Sequence, residues 1–318
     1  MGHLPEPRGP ISEGVLSALT GGAPPSAGAP DPFGEDLQLS LYVCYELHYQ
    51  GFSGVDPDLE WDPGLLRLRR DLERVFLAAL RDGVLGGTDV ESAVNDLMVD
   101  APGGVSHFLE DKGELRHLRE YVTHRSIYHQ KEADPHAWVI PRLTGQAKAS
   151  VVAVEFDEYG GGRAASMHSA LFGDLMRALD LDDTYLAWLD EVPAPMLAVV
   201  NLMSMFGLHR SLRGALVGHF AAAEITTSPS AARMTRALKR LGVAETTFFT
   251  EHVEADAVHE QVLRRDVLGD LLRREPSLTG DVVFGLQATA LVEDRFTTHL
   301  LTAWDAGRTS LRESADDG

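Results

Sequence analysis

From residue 35 to residue 303 apolar residues recur every three or four positions, the period of a helix with one face against a core. The clearest case is LLRLRRDLERVFLAALRDG (65–83), which stops at a glycine as helices do. EDLQLSLYVCYELHYQGF (35–52) is a second, followed by a Gly/Asp/Pro loop. The same period predicts helices at 90–99, 104–111, 114–130, 134–157, 164–179, 193–206, 209–226, 229–241, 245–273 (with a break) and 279–303. Between the helices at 209–226 and 229–241, TTSPS offers an N-cap serine and a proline for a new helix. Strand signals are scarce: VVAVEF (151–156) is the best, and its neighbours read helical. Before residue 35 the pattern lapses into GGAPPSAGAPDPFG, a Pro/Gly-rich arm expected to be disordered apart from one short helix at 11–19. The pattern therefore predicts an all-α bundle. Its expected parts are an arm at 1–34, one helical domain at 35–305 and a frayed tail at 306–318.

Charge narrows the function. The chain has 48 acidic and 28 basic residues, a formal net charge of −20. Nucleic acids and anionic membranes are bound through Lys/Arg footprints, so neither is an expected partner. One cysteine, Cys44, excludes an internal disulfide and Cys-rich metal sites. No run approaches a membrane-spanning length, and the first residues lack the basic and apolar regions of a secretory signal. A cytoplasmic location is the expectation.

Candidate chemistry lies in three segments. HVEADAVHE (252–260) spaces His252, Asp256 and His259 by four and then three residues, which puts them on one face of a helix. That stripe is either a charged surface or a set of inward metal ligands. EFDEYGGGRAASMHSALF (155–172) carries Glu155, Glu158 and His168; Glu158 and His168 share a face only if the glycines alter the helix. HFAAAEITTSPS (219–230) carries Glu224 after three alanines. A carboxylate-bridged pair of irons or manganese ions needs about six such ligands from several helices, and these segments could supply them. Glu251, Glu254 and Glu260 read as solvated charges, and Glu46 and His48 either as partners that orient a ligand or as structural residues.

The triple His252/Asp256/His259, the upstream Glu224 and the pair Glu158/His168 resemble the ligand pattern of the haem-oxygenase-like diiron oxidases. The stretch from Asp134 to Phe172, with DEYGGGR and the Met-His that follows, is similar to bacterial iron-containing redox enzymes of that superfamily. LYVCYELHYQGF (41–52) fits their N-terminal part, so the resemblance spans about 36–303. It implies a haem-oxygenase-like helical bundle with additional N-terminal helices. The implied ligands are Glu158, His168, Glu224, His252, Asp256 and His259. Many members separate the first Glu and His by seven residues, whereas ten separate Glu158 from His168 here, which leaves Glu155 as the competitor of Glu158.

The resemblance further implies two Fe(II) ions, with manganese as the alternative metal, dioxygen as co-substrate and an external reductant whose identity is open. Haem is not implied, since the name describes the fold. The implied partner is a small-molecule amine or amino acid in a biosynthetic pathway, with a homodimer compatible. N-oxygenation of an amine to a hydroxylamine or nitro group is the first expectation. Oxidative decarboxylation, desaturation or C–C cleavage of an amino or fatty acid is the alternative, and a catalytically inactive ligand-binding protein is the rival of another class. Tyr159, Arg163 and Arg142 flank the first ligand region and are the expected substrate-binding residues, an arginine being suited to clamp a carboxylate.

Overall fold

A computed structural model describes residues 2–99 and 102–312, with side chains described for all of these except 254–258. The regular structure of the described residues is helical, with an isolated bridge between Gly2 and Phe52 and no named strand. In chain order the α-helices are α1 Pro10–Leu19, α2 Glu35–Glu46, α3 Pro63–Asp82, α4 Val90–Leu97, α5 Val105–Asp111, α6 Leu115–His129 and α7 Asp134–Ala137. They continue with α8 Gly145–Glu158, α9 His168–Ala178, α10 Ala194–Leu208, α11 Arg213–Arg240, α12 Thr247–Val262, α13 Gly269–Arg274 and α14 Thr279–Asp305. A π-helical turn, Leu263–Leu268, joins α12 to α13.

Helix α3 shows how pattern becomes structure. The Asp62 carboxylate accepts from the Leu65 amide at 2.8 Å and starts the helix. Leu65, Leu68, Leu72, Phe76 and Leu80 then face inward, each worth roughly 1.5–3 kcal/mol of apolar burial.

The centre of the bundle is α11, packed against α14 along its length and against α12 on another side. α11 and α14 approach closely because each carries a glycine at the crossing. A Cβ on Gly218 would collide with the Val282 carbonyl, and one on Gly285 with the Ala215 carbonyl. Helix α10 fills the core between α2 and α14, with nearly every side chain from Met196 to Phe206 buried. No described helix is long and apolar enough to cross a membrane.

Three stretches differ from the periodic reading. Residues 134–157 form not one helix but the short α7, a 3₁₀ turn at Ile140–Arg142 and then α8, because Pro141 and Gly145 interrupt the run. Residues 209–226 and 229–241 are not two helices: α11 runs straight through Pro229. Proline removes one amide donor there. Neighbouring hydroxyls occupy nearby carbonyls instead, Thr227 donating to Ala223 O at 2.7 Å and Ser230 to Thr227 O at 2.9 Å.

The third stretch is the Pro/Gly-rich arm, which packs on the body. Its helix α1 buries Ile11, Val15, Ala18 and Leu19 against α2, and the Asp36 carboxylate receives the amides of Ile11 and Ser12. Arg8, almost wholly buried, bonds Glu35 at 2.7 Å and the carbonyls of Leu189 and Val192. At the other end Ser310 is buried, and Arg312 reaches Glu35 at 3.6 Å. Residues 313–318 of the expected tail lie outside the described residues.

Candidate metal centre

Six polar side chains from four helices and one loop converge in the core between α6, α8, α11 and α12. Glu132 lies just beyond α6, Glu158 is the last residue of α8, His168 the first of α9, Glu224 sits within α11, and His252 and His259 project from α12. All six residues are buried. Their ligand atoms form two groups, Glu132/Glu158/His168/His252 and Glu158/Glu224/His259, within each of which all donor atoms lie within 4.8 Å of one another. Glu158 belongs to both.

The ten-residue gap between Glu158 and His168 has a backbone cause. Gly160, Gly161 and Gly162 all take left-handed φ values, +68°, +61° and +80°, a region that residues with a Cβ avoid. A Cβ on Gly160 would also strike the backbone at Ser166. The glycines end α8, turn the chain and return His168 beside Glu158, its Nδ1 2.7 Å from Oε2. The pair is therefore made across a reversal, not along one helix.

On α12 each histidine is oriented from behind. His252 Nδ1–H donates to the Phe248 carbonyl at 2.7 Å, leaving Nε2 to face Glu132 Oε1 at 3.7 Å. His259 sets Nδ1 toward Glu224 Oε2 at 3.2 Å and Glu158 Oε1 at 3.7 Å, while Nε2 faces Asp157 Oδ2 at 3.2 Å. His129 Nδ1 holds Glu132 Oε2 at 2.9 Å in the same manner. Asp256 stands on α12 between the two histidines, and its side chain lies outside the described residues.

The electrostatics are those of a cluster that could hold cations. Among the described residues no Lys or Arg forms an ion pair with Glu132, Glu158 or Glu224; their ion-pair partners are histidines. Burial pushes the Glu224 carboxyl up, against the His259 contact and with the Glu158 charge. Glu155, one turn before Glu158, is raised to about 9 by burial and by the charges of Glu158 and Glu224. Neither of its oxygens has a hydrogen-bond partner. It stands outside both ligand groups. His168 Nδ1 touches Glu158 without hydrogen-bond alignment, as two ligands of one ion would. A void of about 20 Å³ bordered by Glu132, Glu158, Glu224 and His252 lies among them. Mixed carboxylate and imidazole donors suit iron or manganese in preference to calcium or copper(I).

Of the three residues expected to bind substrate, Tyr159 donates its hydroxyl to Asp134 at 2.7 Å, and Arg142 is taken up by the carbonyls of Gly207 and Leu208 at the end of α10. Arg163 is exposed beside an open cleft shared with Asp157 and His168. A different, deeper cavity of about 340 Å³ reaches Glu132 and His252 from between α6, α11, α12 and α14. Sequence reasoning missed Glu132, His129 and Asp157. Glu132 sits in HQKEADPH between helices, where a buried carboxylate and a surface one look alike. Asp157, adjacent to Glu158, was the more accessible signal.

Two outcomes follow from this geometry. Asp157→Asn is expected to weaken metal affinity by roughly 10-fold, the low end of the range for a group that orients a ligand histidine, because Asp157 is half-exposed. Metal titration of the variant checks it; unchanged affinity would remove Asp157 from the site. The second outcome concerns pH. Burial lowers His259, but Glu224, Asp157 and Glu158 outweigh it and raise the imidazole from 6.5 to about 9. Below about 9 the metal-free site therefore holds a proton that a metal ion must displace, so affinity should rise about tenfold per pH unit across that window. The sign for stability is opposite: the protonated pair favours the metal-free fold fully below pH 6.5 and is lost as pH passes about 9. Metal titrations in that window, with proton release read in weak buffer, test both; a pH-independent affinity would contradict the assignment of His259.

A family model described as iron-containing redox enzyme matches residues 119–294, more than half of the chain. The matched span begins within α6, ends within α14 and contains every residue of both ligand groups. No curated protein matches the chain.

Proposed function

Because the chain belongs to the iron-containing redox enzyme family, we propose that it is a non-haem diiron oxygenase that uses dioxygen to oxidise a small amine by N-oxygenation. The observation that carries this reading is the pair of buried ligand groups meeting at Glu158. One ion would be held by Glu132, Glu158, His168 and His252 and the other by Glu158, Glu224 and His259, and Asp256, whose side chain lies outside the described residues, is the further ligand we propose from the sequence pattern. The three glutamates would offset three of the four positive charges of two divalent cations, and the proposed Asp256 would offset the fourth. The chemistry supplied by the bound metals is activation of dioxygen with electrons from an external reductant.

The chain's own part is positioning. The Phe248 carbonyl holds the His252 ring with Nε2 inward, His129 holds Glu132, and Asp157 takes the outer nitrogen of His259. Phe248, Phe249 and Met203 line the cavity on the side of the site that faces Glu132 and His252. An amine is favoured over an acid because the arginine of that cavity, Arg125, is already bonded to Glu293 through both terminal nitrogens, at 2.9 and 2.7 Å. Among the described residues no uncompensated Lys or Arg lines that cavity to clamp a carboxylate.

The test is anaerobic Fe(II) titration followed by labelled dioxygen and a panel of amines, read by product mass. Uptake of about two irons per chain and a product that has gained labelled oxygen support the proposal. A product that has lost carbon dioxide would move the reading to oxidative decarboxylation, and absence of iron uptake would overturn the diiron assignment.

A further inference from the structure

The 340 Å³ cavity exists because α11 presents Ala222, Ala223, Thr226 and Thr227 where larger side chains would close it. The polar groups on its wall have a common direction. Thr226 donates its hydroxyl proton to Ala222 O at 2.9 Å and Thr227 to Ala223 O at 2.7 Å, so each hydroxyl oxygen faces the cavity as an acceptor. Thr289 donates to Gly285 O at 2.7 Å and therefore accepts from His219 Nδ1–H at 2.9 Å. That fixes the tautomer and leaves His219 Nε2 with a lone pair. His219 is 3% exposed, and this nitrogen has no partner. The hydroxyls of Tyr121 and Tyr128 can serve either way.

At the end remote from the cluster, Arg125 lies between the rings of Tyr121 and Phe296, 5.5 and 5.0 Å from their centroids, and is neutralised by Glu293. Asp294, an exposed residue, also lines the cavity, next in sequence to Glu293. One positive and two negative side chains leave that end net negative. The remainder of the wall is largely apolar, with Val199, Met203, Phe248 and Phe249. Arg125 and Glu132 are seven positions apart along α6 and its extension, on the order of 10 Å at a helical rise.

We propose that this cavity binds a two-ended amine: one nitrogen lies at the Glu132/His252 end, methylenes cross the apolar middle, and a distal ammonium is held by Asp294 and Glu293. The acceptors Thr226, Thr227 and His219 receive N–H groups along the way. Which nitrogen is oxidised rests on the diiron reading above; the binding of the ligand does not.

Calorimetric titration of the full-length chain, as isolated and after anaerobic iron loading, tests this with cadaverine, spermidine, hexylamine and adipate. The diamine and the triamine are expected to bind at least about tenfold more tightly than hexylamine, and adipate not to compete. The double variant Asp294→Asn/Thr227→Val, nearly isosteric at both positions, should lose about tenfold in cadaverine affinity with unchanged helical content. Adipate binding as tightly as cadaverine, an unchanged affinity in the double variant, or no binding of any amine would each overturn the proposal. Amine binding without iron uptake would instead overturn the proposed function and leave the ligand class standing.

Discussion

Glu158→Ala is expected to empty both metal positions together, taking bound iron from about two per chain to below one. Oxygen-dependent turnover should fall by more than the roughly 10–100-fold seen when only an orienting partner of a ligand is lost. The expectation rests on Glu158 supplying an oxygen to each ligand group, Oε2 toward His168 and Oε1 toward His259. Glu224→Ala removes a ligand from one group only and should leave the other ion in place. Glu155→Gln should keep both, since Glu155 stands outside the two groups and is already a neutral acid at neutral pH in the metal-free chain. Iron analysis of the three variants, with circular dichroism as the check on folding, separates these cases. Two irons retained in a folded Glu158→Ala variant would refute the shared-ligand geometry.

The largest expected effect on stability lies one residue before a proposed ligand. Lys131 and Glu46 form an ion pair at 2.7 Å with both side chains almost wholly inaccessible. The ammonium also rests over the rings of Tyr42 and Tyr49 at 4.5 and 4.6 Å, and Tyr185 donates to the second Glu46 oxygen at 2.7 Å. Lys131→Met leaves Glu46 buried without its countercharge and is expected to destabilise the fold by about 3–5 kcal/mol. Lys131→Met/Glu46→Gln should recover a large part of that, because no isolated charge remains. Chemical unfolding of both variants measures it. Equal stability of Lys131→Met and the parent would show that water reaches the carboxylate. The same substitution should weaken iron binding, because Lys131 anchors the loop that carries Glu132 and, beyond it, α7.

The helical architecture was legible because nearly every element buries a three-to-four-residue stripe, as α3 does with Leu65, Leu68, Leu72, Phe76 and Leu80. His252 and His259 were legible for the same reason: both lie on one helix, so their spacing carries geometry. Glu158 and His168 were found through a resemblance, and the reason spacing alone could not settle them is now visible. Three left-handed glycines replace helical periodicity with a chain reversal. Glu132 had no periodic relation to any other member of the cluster. Its burial is created by α11 and α12, more than eighty residues downstream, and by the Lys131–Glu46 pair beneath it. The helix through Pro229 escaped for a related reason, since the hydroxyls that occupy the local carbonyls read, one by one, as turn formers.

Arg8 and Arg312 meet on the same carboxylate, Glu35, and each also bonds a carbonyl of the 189–192 segment, Arg312 at Asp190 and Arg8 at Leu189 and Val192. Topologically the described chain is thus a ring with a narrow gap rather than a string with two remote ends. Residues 8 and 312 could be joined by a short bridge and the backbone opened instead at Gly86–Gly87, where both glycines are left-handed and a side chain would meet nothing. Such a permuted chain would keep α6 through α14 in one unbroken run, so the order in which the helices are synthesised would change while every contact around the Glu/His cluster stayed the same.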